Sequence, residues 1–540
     1  MQNRRQFLKK SGLGLAGLAS LPLLQCQKSV SQPNLLFIVI EDLCPNLGCY
    51  GKSYVKSPNI DKLASKGVRF DRVYAQFPVC AASRASFFTG LRPATTGVEY
   101  PYSYYFLEEV RPNHQTFAQY FYEKDYYTRN FGKIHHGKEL DEISEPHWKG
   151  TASAYVSPEI VKKLESGIPQ SQIPPFEEAD LPDNQFIDGQ TADKVCEVLR
   201  GLDGKAPFCF SVGFSRPHLP FSAPKKYWDM YNRDEIPLAE NRSRPKGAPD
   251  IAYNRYNLAQ YKWEHADPKK QFSPDYERLL RQGYFASISF MDAQVGRILD
   301  VLDETGQRDN TIIALVADHG FHIGEVNNWG KTTLFEESLH VPLIISAPGY
   351  TKGTHTEALV EMVDIMPTLI DLAGYTVPDE IEGTSMKPLF RKPDKPWKKA
   401  AFSESTRDEI CRKRGFSMRT DQYRYTEWRD TVLDTVLERE LYDMKNDPYE
   451  TVNIANDLEN QALVVKLADE LRAGWKAALP EGIENLSHNP AAPPPYAWGP
   501  EGVTRRQAWH DTYGGSEDMG WRAATEMRLR KEMQIKENAK

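Results

Sequence analysis

The sequence predicts an α/β protein, a large doubly wound mixed sheet flanked by helices, followed by a smaller C-terminal α+β domain with an antiparallel sheet. Three observations carry this. Short runs that are apolar throughout recur at 34–40 (NLLFIVI), 208–214 (FCFSVGF), 311–316 (TIIALV) and 341–346 (VPLIIS), as expected of parallel strands buried on both faces. Stretches of helical period lie between them, and strands alternating with helices wind a sheet on both sides. After Pro393 and Pro396 the pattern changes to alternation in FSMRTDQYRYTEW and ELYDM, with a helix near 462–478.

The first 26 residues read as an export signal. Arg4, Arg5, Lys9 and Lys10 precede an apolar run at 13–24, the charged and hydrophobic regions of a secretory leader. That run is shorter than the roughly 20 apolar residues of a spanning helix, and no later segment is apolar enough to span. NRRQFLKK resembles a twin-arginine signal, and Leu23-Leu24-Gln25-Cys26 resembles a lipoprotein box. The expected location is therefore the bacterial periplasm or cell surface, with a lipid anchor at Cys26 as the alternative to soluble release.

Six elements of the main body follow in order. The run at 34–40 begins after Pro33 and ends at Glu41-Asp42. A helix at 57–66 comes next, then the segment FPVCAASRASFFTGLRP, where Cys80, Ser83 and Arg84 stand before a predicted helix whose first amides favour an anion. The run at 208–214 precedes a helix at 284–305, which carries Ile288, Met291, Val295, Ile298 and Val301 at three-to-four spacing. The run at 311–316 ends at Asp318-His319. Domain boundaries are expected at 27–395 for the catalytic unit and 396–485 for the smaller one. A Pro-rich connector and charged helical tail occupy 486–540.

Composition narrows the function. The 540 residues are 40% hydrophobic and 26% charged, enough apolar material for a large core and unlike a disordered polymer. Net charge is −7, from 67 basic and 74 acidic residues; without the four basic residues of the leader it is 63 − 74, or −11. Phosphate-backbone binding needs excess positive charge, so nucleic acid is excluded as a general partner. Beyond Cys26, six cysteines (Cys44, Cys49, Cys80, Cys196, Cys209 and Cys411) are too few for a disulfide scaffold. They form no CxxC or Cys/His cluster of zinc type.

Ligands of open α/β sheets gather beyond the carboxyl ends of strands, and two of the four apolar runs end there in acids. Glu41-Asp42 and Asp318-His319 converging on one edge would make an oxygen-rich site for a hard cation. Acids after a strand also serve as helix caps and turn formers, and for either pair alone that reading stands.

Eight blocks, in order, then carry a resemblance: NLLFIVIEDLCPNLGCYG, SPNIDKLASKGVRF, VCAASRASFFTGLRP, FGKIHH, RPHLPF, ADHGFHIGE, NWGK and ELYDMKNDPYETVNI. Together, over roughly residues 33–457, they resemble the type I, formylglycine-dependent sulfatases of the alkaline-phosphatase superfamily, most closely the iduronate-2-sulfatase branch. The resemblance implies that a maturing enzyme, formylglycine-generating or anaerobic, oxidises Cys80 to formylglycine. The hydrate of that aldehyde is the nucleophile, and its second hydroxyl splits one hard hydrolysis into two easier steps. It further implies one Ca²⁺ held by Glu41, Asp42, Asp318 and His319 together with position 80, with Arg84 orienting the nucleophile. Lys133 and Lys331 would grip sulfate oxygens. His136 would take the proton from the formylglycine hydroxyl, and His218 would protonate the departing sugar oxygen. The substrate implied is a sulfated glycan rich in uronic acid, such as a glycosaminoglycan or ulvan. Two alternatives remain at this point, a phosphoester or phosphonate ester hydrolase of the same superfamily and a catalytically silent glycan-binding protein.

Three departures stand out. Ala82 occupies a position where many relatives carry Pro, Glu41 replaces a usual aspartate, and His135 and His322 lie beside the inferred site without a family role.

Overall fold

The computed structural model describes residues 32–487, apart from 97, 99–114, 137–142, 170–171, 254–270, 351, 408–411 and 432. The export signal, Cys26, Cys411, the aromatics of YPYSYYF, the connector and the charged tail fall outside the described residues.

Fifteen strands are described, seven of them in one sheet of order β11-β2-β10-β7-β1-β5-β3. These are β1 (Asn34–Ile40), β2 (Val68–Tyr74), β3 (Tyr127–Gly132), β5 (Phe208–Phe214), β7 (Thr311–Ala317), β10 (His340–Ser346) and β11 (Thr354–Glu361). Four neighbours that end at the β3 edge, β7, β1, β5 and β3, run parallel. Their ends are nearly flush, with Ile40 opposite both Phe214 and Ala317, and Gly132 opposite Gly213. Two short pairs complete the main body, β4 (Phe176–Ala179) with β6 (Phe221–Pro224) and β8 (His322–Ile323) with β9 (Trp329–Gly330).

The four apolar runs are strands as predicted, with one correction. The run at 341–346, expected to be parallel, is antiparallel to both of its neighbours, β7 and β2. An apolar run reports burial on two faces and carries no information about chain direction. Strands β2, β3 and β11 went unread because their faces alternate polar and apolar, as in VRFDRVY. The helix expected from residue 284 begins ten residues earlier and spans Pro274–Glu304, capped by the Ser273 side chain on the amide of Tyr276.

After residue 396 the alternation resolves into an antiparallel sheet of β12 (Ala400–Thr406), β13 (Lys413–Thr420), β14 (Tyr423–Asp430) and β15 (Thr435–Asp443), in that order. Period two sorts its residues. Ala400, Phe402, Met418, Tyr425 and Leu441 pack on the helix Gln461–Ala477, through Leu467, Leu471 and Trp475. The intervening Ala401, Trp428 and Tyr442 pack on Tyr74, Phe335 and Leu359 of the main body. Both faces of the smaller sheet are thus buried.

Candidate active site

Each of the four neighbouring parallel strands β7, β1, β5 and β3 delivers its next residues to one place. Beyond β1 come Glu41 and Asp42; beyond β7, Asp318 and His319; beyond β3, Lys133; and beyond β5, the turn to His218. The strand ends are stitched together, Glu41 N donating to Phe214 O at 3.2 Å and Asp318 N to Ile40 O at 2.9 Å. Lys133 N donates to Gly213 O at 3.0 Å. That approach requires glycine at 213, where a Cβ would stand 1.7 Å from the Lys133 carbonyl oxygen. Cys80 opens the helix Cys80–Thr89, and Arg84 lies one turn on. Lys331 follows β9.

These side chains converge. Cys80 Sγ lies 3.3 Å from Glu41 Oε1, 3.3 Å from His319 Nε2 and 3.0 Å from Lys331 Nζ. Lys331 Nζ also donates to Asp42 Oδ1 at 2.6 Å, and Lys133 Nζ pairs with Glu41 Oε1. Arg84 Nε donates to Asp318 Oδ2 at 2.9 Å, while its Nη1 holds the carbonyls of Lys133 and Ile134. His218 Nε2 stands 3.7 Å from Glu41 Oε1 and 3.8 Å from Asp42 Oδ2. His136 is half-buried, three residues beyond Lys133 on the same segment.

Burial divides the centre into a floor and a mouth. Glu41, Asp42, Cys80, Asp318 and His319 are buried. The side chains of His218, Lys133 and Lys331 keep 34%, 24% and 18% of their surface open, so an anion arriving from solvent meets the cations first. Three buried carboxylates balance the cations Arg84, Lys133 and Lys331. Burial alone would raise the pKa of Glu41, but His218, Lys133, Lys331 and Arg84 outweigh it and hold the group well below the carboxylate range. For Asp318 burial is likewise outweighed, by His319 and Arg84, and its pKa is pushed down to about 2. Burial lowers the pKa of both His218 and His319.

The donor set fits a hard divalent cation. Asp42 Oδ2 is buried and has no hydrogen-bond partner among the described residues. His319 Nδ1 donates to the Gly320 carbonyl at 3.0 Å, which turns Nε2 toward Cys80 Sγ, Asp42 Oδ1 and Asp318 Oδ1 at 3.3, 3.5 and 3.6 Å. Carried by a neutral ring, a lone pair there would oppose two carboxylates, and a bound cation relieves that repulsion. Ligand atoms of Asp42, Cys80 and His319 fall within 4.8 Å of one another, as do those of Glu41, Cys80 and Asp318, and of Glu41, Asp42 and His218.

Two supports of this centre escaped the sequence reading. Asp188, on the helix Ile187–Gly201, accepts from the amides of Ser215 and Arg216, both at 2.8 Å. Arg216 Nη1 in turn donates to the His218 carbonyl at 2.9 Å. Only the RPHLPF block hinted at Arg216, and nothing local marked Asp188. Of the two unassigned histidines, His322 is fully buried on Thr333 Oγ1 at 2.8 Å, with a pKa pushed down to about 4 by burial. His135 packs on the Phe88 ring, with centroids 5.1 Å apart.

A cradle of cations over a carboxylate floor, at the carboxyl ends of parallel strands, defines a hydrolase of anionic esters. The chain belongs to the sulfatase family, whose profile, described as Sulfatase, matches residues 33–375. A second profile, N-sulphoglucosamine sulphohydrolase, C-terminal, matches residues 324–476. Iduronate 2-sulfatase of Homo sapiens is 32% identical over 512 residues, covering 80% of this chain and 93% of that protein. One solved structure, described as in complex with its substrate D-glucosamine-2-N,6-O-disulfate, superposes with a TM-score of 0.66 at 25% identity, over 84% of this chain and 100% of the other. The phosphonate monoester hydrolase of Agrobacterium radiobacter does so with 0.65 at 25% identity, over 82% and 95%. The chain is a sulfuric ester hydrolase by family, with an acidic cluster suited to a metal ion.

Proposed function

We propose that this chain is an exported enzyme that removes sulfate esters from a sulfated glycan containing uronic acid, using a formylglycine made at Cys80 and one Ca²⁺. The observation that carries the reading is the position of Cys80 Sγ, within 3.3 Å of Glu41, His319 and Lys331 at once. The names of the human relative and of the disulfated glucosamine complex support a glycan substrate.

Glu41, Asp42, Asp318 and His319, with position 80, hold the cation, which when bound polarises sulfate oxygens and lowers the pKa of the nucleophile. Converted to formylglycine, position 80 supplies one hydrate hydroxyl to attack sulfur and a second whose collapse to the aldehyde releases sulfate. Lys133 and Lys331, part-open at the mouth, take nonbridging sulfate oxygens as point charges. Arg84, tied to Asp318, orients the nucleophile and balances its charge. His218 Nδ1 donates to the Leu219 carbonyl at 2.6 Å. That bond fixes Nε2 as the atom facing the centre, where the ring, once doubly protonated, gives its Nε2 proton to the departing sugar oxygen. His136 is the base that takes the proton at position 80.

The leader directs export to the periplasm or surface, with lipidation at Cys26 as the alternative to release. The catalytic unit spans 27–395 and the smaller one 396–485. A formylglycine-generating or anaerobic sulfatase-maturing enzyme of the host modifies Cys80.

Mass spectrometry of the Cys80 peptide from the native host, run beside rates on matched sulfate and phosphate esters, tests the reading. The expected result is a peptide that has lost H₂S and gained oxygen, with sulfate preferred. An unmodified thiol with no turnover would make the chain a glycan-binding protein. Preference for the phosphate or phosphonate ester by orders of magnitude would move it to that branch of the superfamily.

A further inference from the structure

Asp42 stands in the left-handed region, with φ of 56°, a conformation uncommon for residues with a Cβ, which aspartate enters more readily than most and which its neighbours here hold in place. Its own amide donates to Asp318 Oδ1 at 3.1 Å. On its other side, the Tyr284 hydroxyl donates to the Asp42 carbonyl at 2.7 Å and accepts from the Cys44 amide at 3.3 Å. One hydroxyl therefore clips both ends of the Asp42–Cys44 turn.

Tyr284 is fully buried near the middle of the helix Pro274–Glu304. Its ring stacks on Phe321, with centroids 6.1 Å apart and planes 12° apart, and meets the edge of Phe221 at 5.5 Å. The phenol has no freedom to point elsewhere. Asp42 Oδ2, the carboxylate oxygen without a hydrogen-bond partner, is aimed by this turn.

We propose that Tyr284 is a positioning residue for the metal centre: its hydroxyl locks the left-handed turn that presents the Asp42 carboxylate to the cation. The inference rests on the sulfatase reading above and adds a determinant of metal affinity lying outside the ligand set. Without the hydroxyl, the Asp42 peptide relaxes toward ordinary φ and its carboxylate leaves the shared position beside Cys80 and His319. Groups that orient metal ligands typically account for 10- to 100-fold in affinity.

The test is calorimetric titration of Ca²⁺ into chelator-stripped, full-length protein, comparing wild type, Tyr284→Phe and Tyr231→Phe. Tyr231 is a control of similar burial, its hydroxyl 2.6 Å from Ser289 Oγ and accepting from Lys56 N at 3.0 Å. The expected result is a 10- to 100-fold weaker Ca²⁺ affinity in Tyr284→Phe alone, with both variants losing similar thermal stability. At subsaturating Ca²⁺ the fall in turnover in Tyr284→Phe is recovered by adding Ca²⁺. Wild-type affinity in Tyr284→Phe, or equal weakening in Tyr231→Phe, overturns the inference and leaves the sulfatase reading intact. A wild type that binds no divalent cation and turns over no sulfate ester overturns both. Phe321→Leu keeps the hydroxyl and loosens the ring; a several-fold weakening is expected there, and it carries the test where Tyr284→Phe does not fold.

Discussion

Two buried charge clusters in this molecule look alike in composition and differ in how completely they are satisfied. Where β11 meets the smaller sheet, Glu361 takes a bidentate pair from Arg92 at 2.9 and 2.7 Å and a third bond from Lys398 at 2.7 Å. Lys398 also donates to Asp364 Oδ1 at 2.7 Å, and the amides of Phe402, Thr384 and Glu361 fill the remaining positions. All four carboxylate oxygens accept. At the strand ends of β1 and β7, by contrast, Asp42 Oδ2 is left over, His319 Nε2 faces carboxylates, and His218 stands off at 3.7 Å. A cluster whose carboxylate oxygens all have donors has no acceptor left for a cation and serves the fold; a buried cluster with an unused carboxylate oxygen is arranged for a ligand.

The largest expected effect separates the clusters by activity. Cys80→Ala should lower turnover of a sulfate ester by at least about a thousandfold, with thermal stability shifted by no more than about 1 kcal/mol. Paired measurement of kcat and unfolding midpoint checks this, and a variant that keeps a tenth of wild-type activity would deny position 80 its place in the centre.

Glu361→Gln should do the reverse. Breaking a buried pair by neutralising one partner costs about 3–5 kcal/mol, here with Arg92 and Lys398 both left facing a neutral amide. Denaturant unfolding should show an earlier first transition while kcat per folded molecule holds. Equal losses in both quantities would mean that the two clusters are coupled.

Metal exposes the unused valence directly. Saturating Ca²⁺ at roughly a hundred times its dissociation constant should raise stability by about 2.7 kcal/mol, and a chelator should remove the gain. Glu361→Gln should keep the whole increment and Asp42→Asn should lose most of it; an increment unchanged in Asp42→Asn would put the cation elsewhere.

Much of this arrangement was legible in the sequence, for a physical reason. Strands buried on both faces have no polar alternation to confuse them, so β1, β5, β7 and β10 stood out as apolar runs, and the acids at two of their ends followed. The direction of β10 and the existence of β2, β3 and β11 were hidden, since pairing is a long-range choice and half-polar strands resemble loops. Within the centre, residues adjacent in sequence to strand ends were legible. Asp188 and Tyr284 act through backbone groups of distant residues, Tyr284 across 242 positions to Asp42, and no local pattern announces such a bond, whereas Arg216 holds the His218 carbonyl two residues on and only the RPHLPF block hinted at it. His322, singled out by its neighbourhood in ADHGFHIGE, turned inward to Thr333 instead.

A third kind of buried carboxylate supplies the smallest and sharpest comparison. Asp292 accepts from the amides of Asn59 and Ile60, at 3.2 and 2.8 Å, and from Asn59 Nδ2 at 2.8 Å. No cation pairs with it among the described residues. Burial outweighs these donors and pushes its pKa from 3.8 up to about 6, opposite to Glu361, where burial is outweighed by Arg92 and Lys398 and the group falls to about 2. A carboxyl whose folded pKa is raised binds its proton first in the folded state. It therefore favours folding most at low pH, and that contribution is lost as pH climbs from about 4 to about 6. Two pKa units bound the effect at about 3 kcal/mol. The stability difference between wild type and Asp292→Asn should accordingly shrink as pH rises through that window and stay level from 7 to 8. Denaturant midpoints at pH 4, 5, 6, 7 and 8 check the slope. Parallel curves would mean that the three donors hold Asp292 ionised throughout, so that dipoles alone had done for this carboxylate what Arg92 and Lys398 do for Glu361.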